Sequence, residues 1–171
     1  LEVLNRAYNR VESLASLAET AGLRALYLEG NRVSDLAPLR NMTQLTVLDA
    51  SDNRVLSLVP LAQCRMLPDL SLCGIRVADL LPLKNLTELR SLNCFGNPVA
   101  ELDPLSTLDL ERLFVSGSSV TSFGTLLLRP PREFFLFHDA KMERGSAEHL
   151  YERSVAGESA MRLRQQLRVL D

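Results

Sequence analysis

The leucines of this chain return at a spacing that suits neither a helix nor an ordinary strand. In "LRALYLEGNRVSDLAPL", residues 23–39, the apolar positions are Leu23, Leu26, Leu28, Val33, Leu36 and Leu39. That is neither period 2 nor period 3.6. Nearly the same string returns from Leu45 as "LTVLDASDNRVLSLVPL". Aligned on the leading leucine, units start at residues 1, 23, 45, 67, 89 and 110, so six units cover residues 1–131. The fourth position reads Leu4, Leu26, Leu48, Leu70, Leu92 and Leu113. The eleventh is valine every time, from Val11 to Val120. The ninth reads Asn9, Asn31, Asn53, Ile75, Asn97 and Ser118.

A fixed period of this length predicts a solenoid, because one unit cannot hide its own leucines and stacking supplies the missing face. Each unit is expected to open with a short strand that sends positions 4 and 6 inward. The chain then turns, valine re-enters the core, and a short helical or 3₁₀ segment returns with Leu36 and Leu39 or their equivalents buried. Pro38, Pro60, Pro82 and Pro104 keep that segment short. The asparagine column is expected inside, where an amide bridges backbone groups that the bend leaves unpaired. Ile75 and Ser118 break that column, and Arg6 occupies a core position in the first unit. All three are read as structural drift.

These residues resemble the leucine-rich repeat family, with its pattern LxxLxLxxNxV. The 22-residue period with "DLAPL", "DLLPL" and "ELDPL" is similar to the short-repeat class. That class includes phosphatase regulatory subunits, internalins and an axonemal dynein light chain. The resemblance implies an α/β solenoid with a parallel concave β-sheet, a short 3₁₀ or helical convex side and a C-terminal helical cap. It implies a binding scaffold, not a reaction.

Beyond residue 131 the pattern changes. "REFFLFHDAKM", from Arg132, reads as a seventh strand. A step of 22 residues from Leu110 puts Phe135, Phe137 and Met142 in core columns, with Phe134 and Leu136 on the other face. The opposite register exposes aromatics as well. "SAEHLYERSV" and "SAMRLRQQLRVL" read as helices capped by Ser146 and Ser159. "QQLRVLD", with Tyr151 upstream, resembles the cap of the short-repeat class. Residues 132–171 are therefore expected to be a seventh strand and a helical cap.

Chemistry changes the picture little. The histidines are His138 and His149, and no HExxH or phosphate-binding GxxxxGK[ST] motif occurs. Cys64, Cys73 and Cys94 have no metal spacing, and an odd count without regular spacing suggests a reducing compartment. No catalytic residues, cofactor or metal are expected. The net charge of −2 and the lack of a basic-aromatic motif argue against direct nucleic-acid contact. No apolar run is long enough to span a membrane. The chain opens at Leu1 without methionine and is read as a domain of a longer protein.

The surface columns carry more information. Positions 3, 5, 7 and 8 face the open side of the strands. They gather Glu29, Asp49, Asp52 and Asp69 mid-face, and Phe95 and Phe114 towards the C-terminal end. Adjacent exposed aromatics are enriched at interfaces. The expected partner-binding residues are Tyr27, Asp49, Asp69, Asn93, Phe95, Arg112 and Phe114. The expected partner is a protein, met through a basic or amphipathic segment. Arg10, Arg32, Arg54 and Arg76 form a further row at position 10, expected to be neutralised by acids at positions 7, 8 and 13. The family analogy suggests an intracellular scaffold in a cytoskeletal, ciliary or centriolar assembly, cytoplasmic or nuclear. A regulatory subunit of a phosphatase or other enzyme, and a ribonucleoprotein scaffold, are the alternatives. Oligomeric state is not legible.

Overall fold

The computed structural model describes residues 1–20, 22–116, 120–122, 126 and 131–137. Among these the chain winds as a stack of turns with one strand per turn. The strands are β1 (Val3–Asn5), β2 (Ala25–Tyr27), β3 (Val47–Asp49), β4 (Asp69–Ser71), β5 (Ser91–Cys94), β6 (Arg112–Ser116) and β7 (Glu133–Phe137). They form one parallel sheet in chain order. Leu4, Leu26, Leu48, Leu70, Leu92 and Leu113 lie level across it, as the period requires.

The strands are short because position 8 turns the chain. Tyr8, Gly30, Asp52, Gly74 and Gly96 all have positive φ, between 52° and 71°. Glycine takes that conformation without strain, whereas tyrosine and aspartate do not. From Tyr8 to Gly74 the two residue types alternate for a steric reason. A Cβ on Gly30 would lie 2.7 Å from the Tyr8 ring, and one on Gly74 would lie 2.9 Å from the Asp52 carboxylate. Each side chain occupies the space that the next glycine leaves empty.

The far side returns through 3₁₀ turns at Ala15–Leu17, Ala37–Leu39, Val59–Gln63, Leu81–Leu83 and Asp103–Leu105. Proline stands in the first turn of the last four. Position 13 starts these segments. Asp35 and Asp79 accept the backbone N–H of Ala37 and Leu81 at 2.7 and 2.8 Å, and Ser13 and Ser57 play the same part less tightly. From the second turn to the fifth the expected leucine and valine columns are buried, while Leu4, Val11 and Val120 towards the ends are partly buried and Leu1 is exposed, and a further column joins them at position 20: Met42, Cys64, Leu86 and Leu108. Arg6 is exposed at the outer face of the first turn.

The asparagine column forms a ladder. Asn53 donates to Leu28 O of the preceding turn at 2.8 Å, and to Ala50 O and Ser51 O of its own turn at 3.0 Å each. Its Oδ1 accepts Val33 N–H at 2.9 Å. Asn31 and Asn97 repeat the pattern. Ile75, fully buried, interrupts it. Among the described residues Val55 N–H then finds no acceptor. The backbone bond made by Arg32 N–H to Val11 O and by Arg54 N–H to Val33 O is also missing between Arg76 and Val55. Arg76 adopts φ 70°, unlike the other arginines of its column. The carbonyls that an amide here would meet keep other donors, Ala50 O from Asn53, Leu72 O from Asn97 and Cys73 O from Asp52 N–H, so the break is felt at Val55 N–H and in the backbone of Arg76.

The seventh strand corrects an expectation. β7 pairs with β6 by a step of 21 residues, Leu113 level with Phe134 and Phe114 level with Phe135. Phe134, partly buried, packs against the core, and Phe135, in the row of the concave face beside Phe114, is itself buried. Phe137 is level with Ser116, not with a core column. The stacking of Phe135 on Phe114 decides the register, because either register places apolar residues on both faces. Met142, the helical cap, Ser118 and both histidines lie outside the described residues.

These observations set a contrast. Asn53→Ala is expected to cost about 1–3 kcal/mol, because buried carbonyls and an N–H lose their partner. Ile75→Asn places an amide oxygen where Val55 N–H lacks an acceptor, and is expected to stay within about 1 kcal/mol of wild type or to exceed it. Urea unfolding of both variants checks this, and a loss of several kcal/mol in Ile75→Asn would refute the ladder account.

Candidate partner-binding face

The sheet carries its outward side chains in straight rows about 4.8 Å apart. One row runs Asn5, Tyr27, Asp49, Ser71, Asn93, Phe114 and Phe135, each level with the next. The structure therefore brings Tyr27 beside Asp49, and Asn93 beside Phe114. Phe114 and Phe135 stack with ring centroids 4.5 Å apart and planes 1° apart. Phe95, half-buried, stands two residues beyond Asn93 and extends the apolar end. Phe135, expected in a core column, is buried as expected but stands level with Phe114 in this row.

Two expected residues meet each other. Arg112 on β6 reaches across Ser91 to Asp69 on β4, with N–O 3.6 Å. Both side chains are about half exposed, so the pair contributes little to stability. Its effect is electrostatic: Arg112 offsets Asp69, and the acidic character moves to Glu29, Asp49 and Asp52. These three charges converge near Tyr8. The Tyr8 hydroxyl donates to Glu29 Oε1. That bond, then burial and the charges of Glu29, Asp52 and Asp49, hold the phenol above its ordinary value.

Several of these side chains also shape the backbone. Asp49 Oδ1 accepts Ser51 N–H at 2.9 Å, Asn93 Oδ1 accepts Phe95 N–H at 3.1 Å, and Asn5 Oδ1 accepts Ala7 N–H at 2.9 Å. An aspartate or asparagine at position 5 thus closes the strand end, a role its exposure in the sequence conceals. Between the acidic and aromatic halves lies a hydroxyl patch. Ser51 and Ser71 are hydrogen-bonded at 2.8 Å, and Ser51 Oγ accepts Cys73 N–H at 3.2 Å.

The arginine row differs from expectation. Arg32 pairs with Glu12, at position 12, at 3.2 Å. No ion pair joins the row to acids at positions 7, 8 or 13 among the described residues. Asp35 and Asp79 instead direct a carboxylate oxygen to a backbone N–H.

Strand rows, asparagine ladder and 3₁₀ return together define a leucine-rich repeat solenoid of the short-repeat class. Solved structures agree on the fold. Internalin C2 of Listeria monocytogenes matches with a TM-score of 0.73 at 24% identity, over 78% of this chain and 60% of its own. The internalin InlF of the same species gives 0.66 at 22% identity, over 83% of this chain and 48% of its own. The functional domain of Listeria monocytogenes InlJ gives 0.61 at 21% identity, over 80% of this chain and 34% of its own. The chain thus spans less than two thirds of each. InlJ includes a cysteine ladder. Here Cys64, Cys73 and Cys94 stand in three different columns and form no disulfide. No family model and no curated protein matches the chain.

Among the described residues no cluster of histidine, cysteine or carboxylate side chains could hold a metal ion, and no helix is long and apolar enough to cross a membrane. Burial pushes the Cys64 thiol up to about 11, and burial together with neighbouring Cys73 pushes Cys94 up to about 12. The sign follows: folding favours the protonated thiols. Their contribution is complete below the unfolded value of about 8.5 and is lost as pH rises through the folded values. In the native protein at pH 8, Ellman titration is therefore expected to label at most Cys73, with Cys64 and Cys94 appearing only in denaturant. Prompt native labelling of all three would refute the burial of the two core thiols.

Proposed function

We propose that this domain is a protein-interaction scaffold whose concave face takes a basic or amphipathic segment of a partner. One observation carries the reading: a single row of the sheet passes from acidic residues at Asp49 to stacked aromatics at Phe114 and Phe135. Phe95 and Phe114, partly exposed with Phe114 backed by the buried Phe135, supply apolar anchors, and the acids around Asp49 steer a cationic segment during approach. Asn93 and Arg112 orient the segment beside the rings, and Tyr27 extends the contact towards the N-terminal turns. A reducing, intracellular compartment accords with three thiols that form no disulfide. The cytoskeletal, ciliary or centriolar setting rests on the resemblance of the repeat to the class that includes the axonemal dynein light chain.

The test is selection from a displayed peptide library, followed by titration of the enriched peptides against folded variants. The enriched peptides are expected to carry lysine or arginine beside apolar residues. Phe114→Ala is expected to weaken binding by about 2 kcal/mol or more. Asp49→Asn keeps the oxygen that accepts Ser51 N–H and removes the charge, so it is expected mainly to slow association and reduce the salt dependence. Unchanged affinity and rates in Phe95→Ala, Phe114→Ala and Asp49→Asn, each shown folded by circular dichroism, would sink the concave-face reading.

A further inference from the structure

Departures from the repeat coincide at the junction of the third and fourth turns, on the edge away from the concave face. The ladder breaks there, at Ile75. Arg54 and Arg76 stand on either side of the break, both exposed, and neither forms an ion pair among the described residues. Beside them lie Leu56, Val59 and Leu81, which are 72%, 61% and 52% exposed. At position 12 the first two turns carry Glu12 and Ser34, where the third has Leu56. At position 15 the flanking turns carry Ala37 and Asp103, where the third and fourth have Val59 and Leu81. In the third and fourth turns, exposed large apolar side chains thus occur together with arginines that form no ion pair among the described residues.

The geometry makes one strip of them. Asn53 and Val55 point inward and are buried, so Arg54 and Leu56 point outward together, about 6.6 Å apart along an extended segment. Position 13 follows, with Ser57 and Asp79 exposed and accepting the N–H of Val59 and Leu81, and position 15 comes next at the start of the 3₁₀ turns, which stack from one unit to the next. The result is a cationic row beside an apolar row, repeated at a turn spacing of about 4.8 Å. Side chains at i and i+4 of a helix lie about 6 Å apart on one face, close to that spacing.

We infer that this strip is a second docking site, which receives an acidic amphipathic helix of a partner protein. Its leucines cover Val59 and Leu81, and its carboxylates meet Arg54 and Arg76. A polyanion such as RNA is disfavoured, because the cations are flanked by apolar side chains and the chain carries a net charge of −2. The same net charge disfavours an anionic membrane. The site is independent of the concave face: it takes the opposite charge, from another side of each turn.

The probe is a synthetic helix of about 20 residues with one glutamate stripe and one leucine stripe at i, i+4 spacing. It is titrated by fluorescence anisotropy against the full 171-residue chain. Saturable, salt-sensitive binding is expected. Arg54→Glu with Arg76→Glu should weaken it about tenfold or more, and Val59→Ser with Leu81→Ser should weaken it comparably. Phe114→Ala should leave it unchanged, which separates this site from the concave one. Arg54→Gln with Arg76→Gln repeats the test where charge reversal disturbs the fold. Any of several results overturns the inference. These are no saturable binding, equal binding of a scrambled peptide of the same composition, wild-type affinity in the arginine variants, or tighter arginine-dependent binding to duplex RNA or phosphatidylserine vesicles.

Discussion

Every turn of this molecule must bend the backbone while its interior stays apolar, and the bend exposes N–H and C=O groups to that interior. The asparagine ladder meets this constraint. In the second, third and fifth turns one amide binds two carbonyls of its own turn, one carbonyl of the preceding turn and one N–H of the preceding turn. Leucine burial supplies the larger driving force, but it is non-directional. The amide fixes where the bend falls and how adjacent turns align. The level rows of the concave face depend on that alignment, because a slip of one residue would turn every outward side chain inward.

The break at Ile75 shows what the constraint does when its usual solution is absent. An apolar side chain fills the position and is wholly buried, so the core loses nothing in volume. Val55 N–H does lose its acceptor, and Arg76 moves into the left-handed region. Such a conformation costs on the order of 1 kcal/mol or more outside glycine, and the surrounding packing must hold it. Position 8 shows the same economy in reverse. Tyr8 and Asp52 accept a left-handed backbone, and their side chains fill the space over glycines of the next turn. Strain in one turn is thereby coupled to the residue type in its neighbour.

Much of the fold was legible because the leucine, valine and asparagine columns are chemically uniform. Columns with mixed residues were not. Position 20 holds Met42, Cys64, Leu86 and Leu108, and its burial is visible only once the turns are stacked. Asp35 and Asp79 read as surface charge in sequence, yet they start the 3₁₀ turns. The register of the seventh strand was hidden for a different reason. Periodicity cannot choose a register when both faces are apolar, and the choice belongs to a tertiary contact, Phe114 with Phe135. The sixth unit had already arrived after 21 residues instead of 22, which was the available hint that the last step would be short as well. Of the binding face, the residues were readable but their mutual contacts were not: long side chains such as Arg112 cross a strand to reach Asp69.

A solenoid converts a column of sequence into a row in space, so each row can change character without disturbing the core. Here the rows change at different places. The arginine row runs from Arg10 to Arg76 and ends at Pro98. Beyond Tyr27 in the second turn, the concave row turns aromatic again at Phe114, after that end. The early turns therefore combine acidic groups on the sheet with cations on the edge, while the late turns offer rings. A net charge of −2 averages these opposite fields away. Screening acts over about 8 Å at physiological salt, which spans fewer than two strand spacings. A partner segment therefore responds to the local row it meets and not to the average. This separation lets one small domain present surfaces of opposite charge without either cancelling the other.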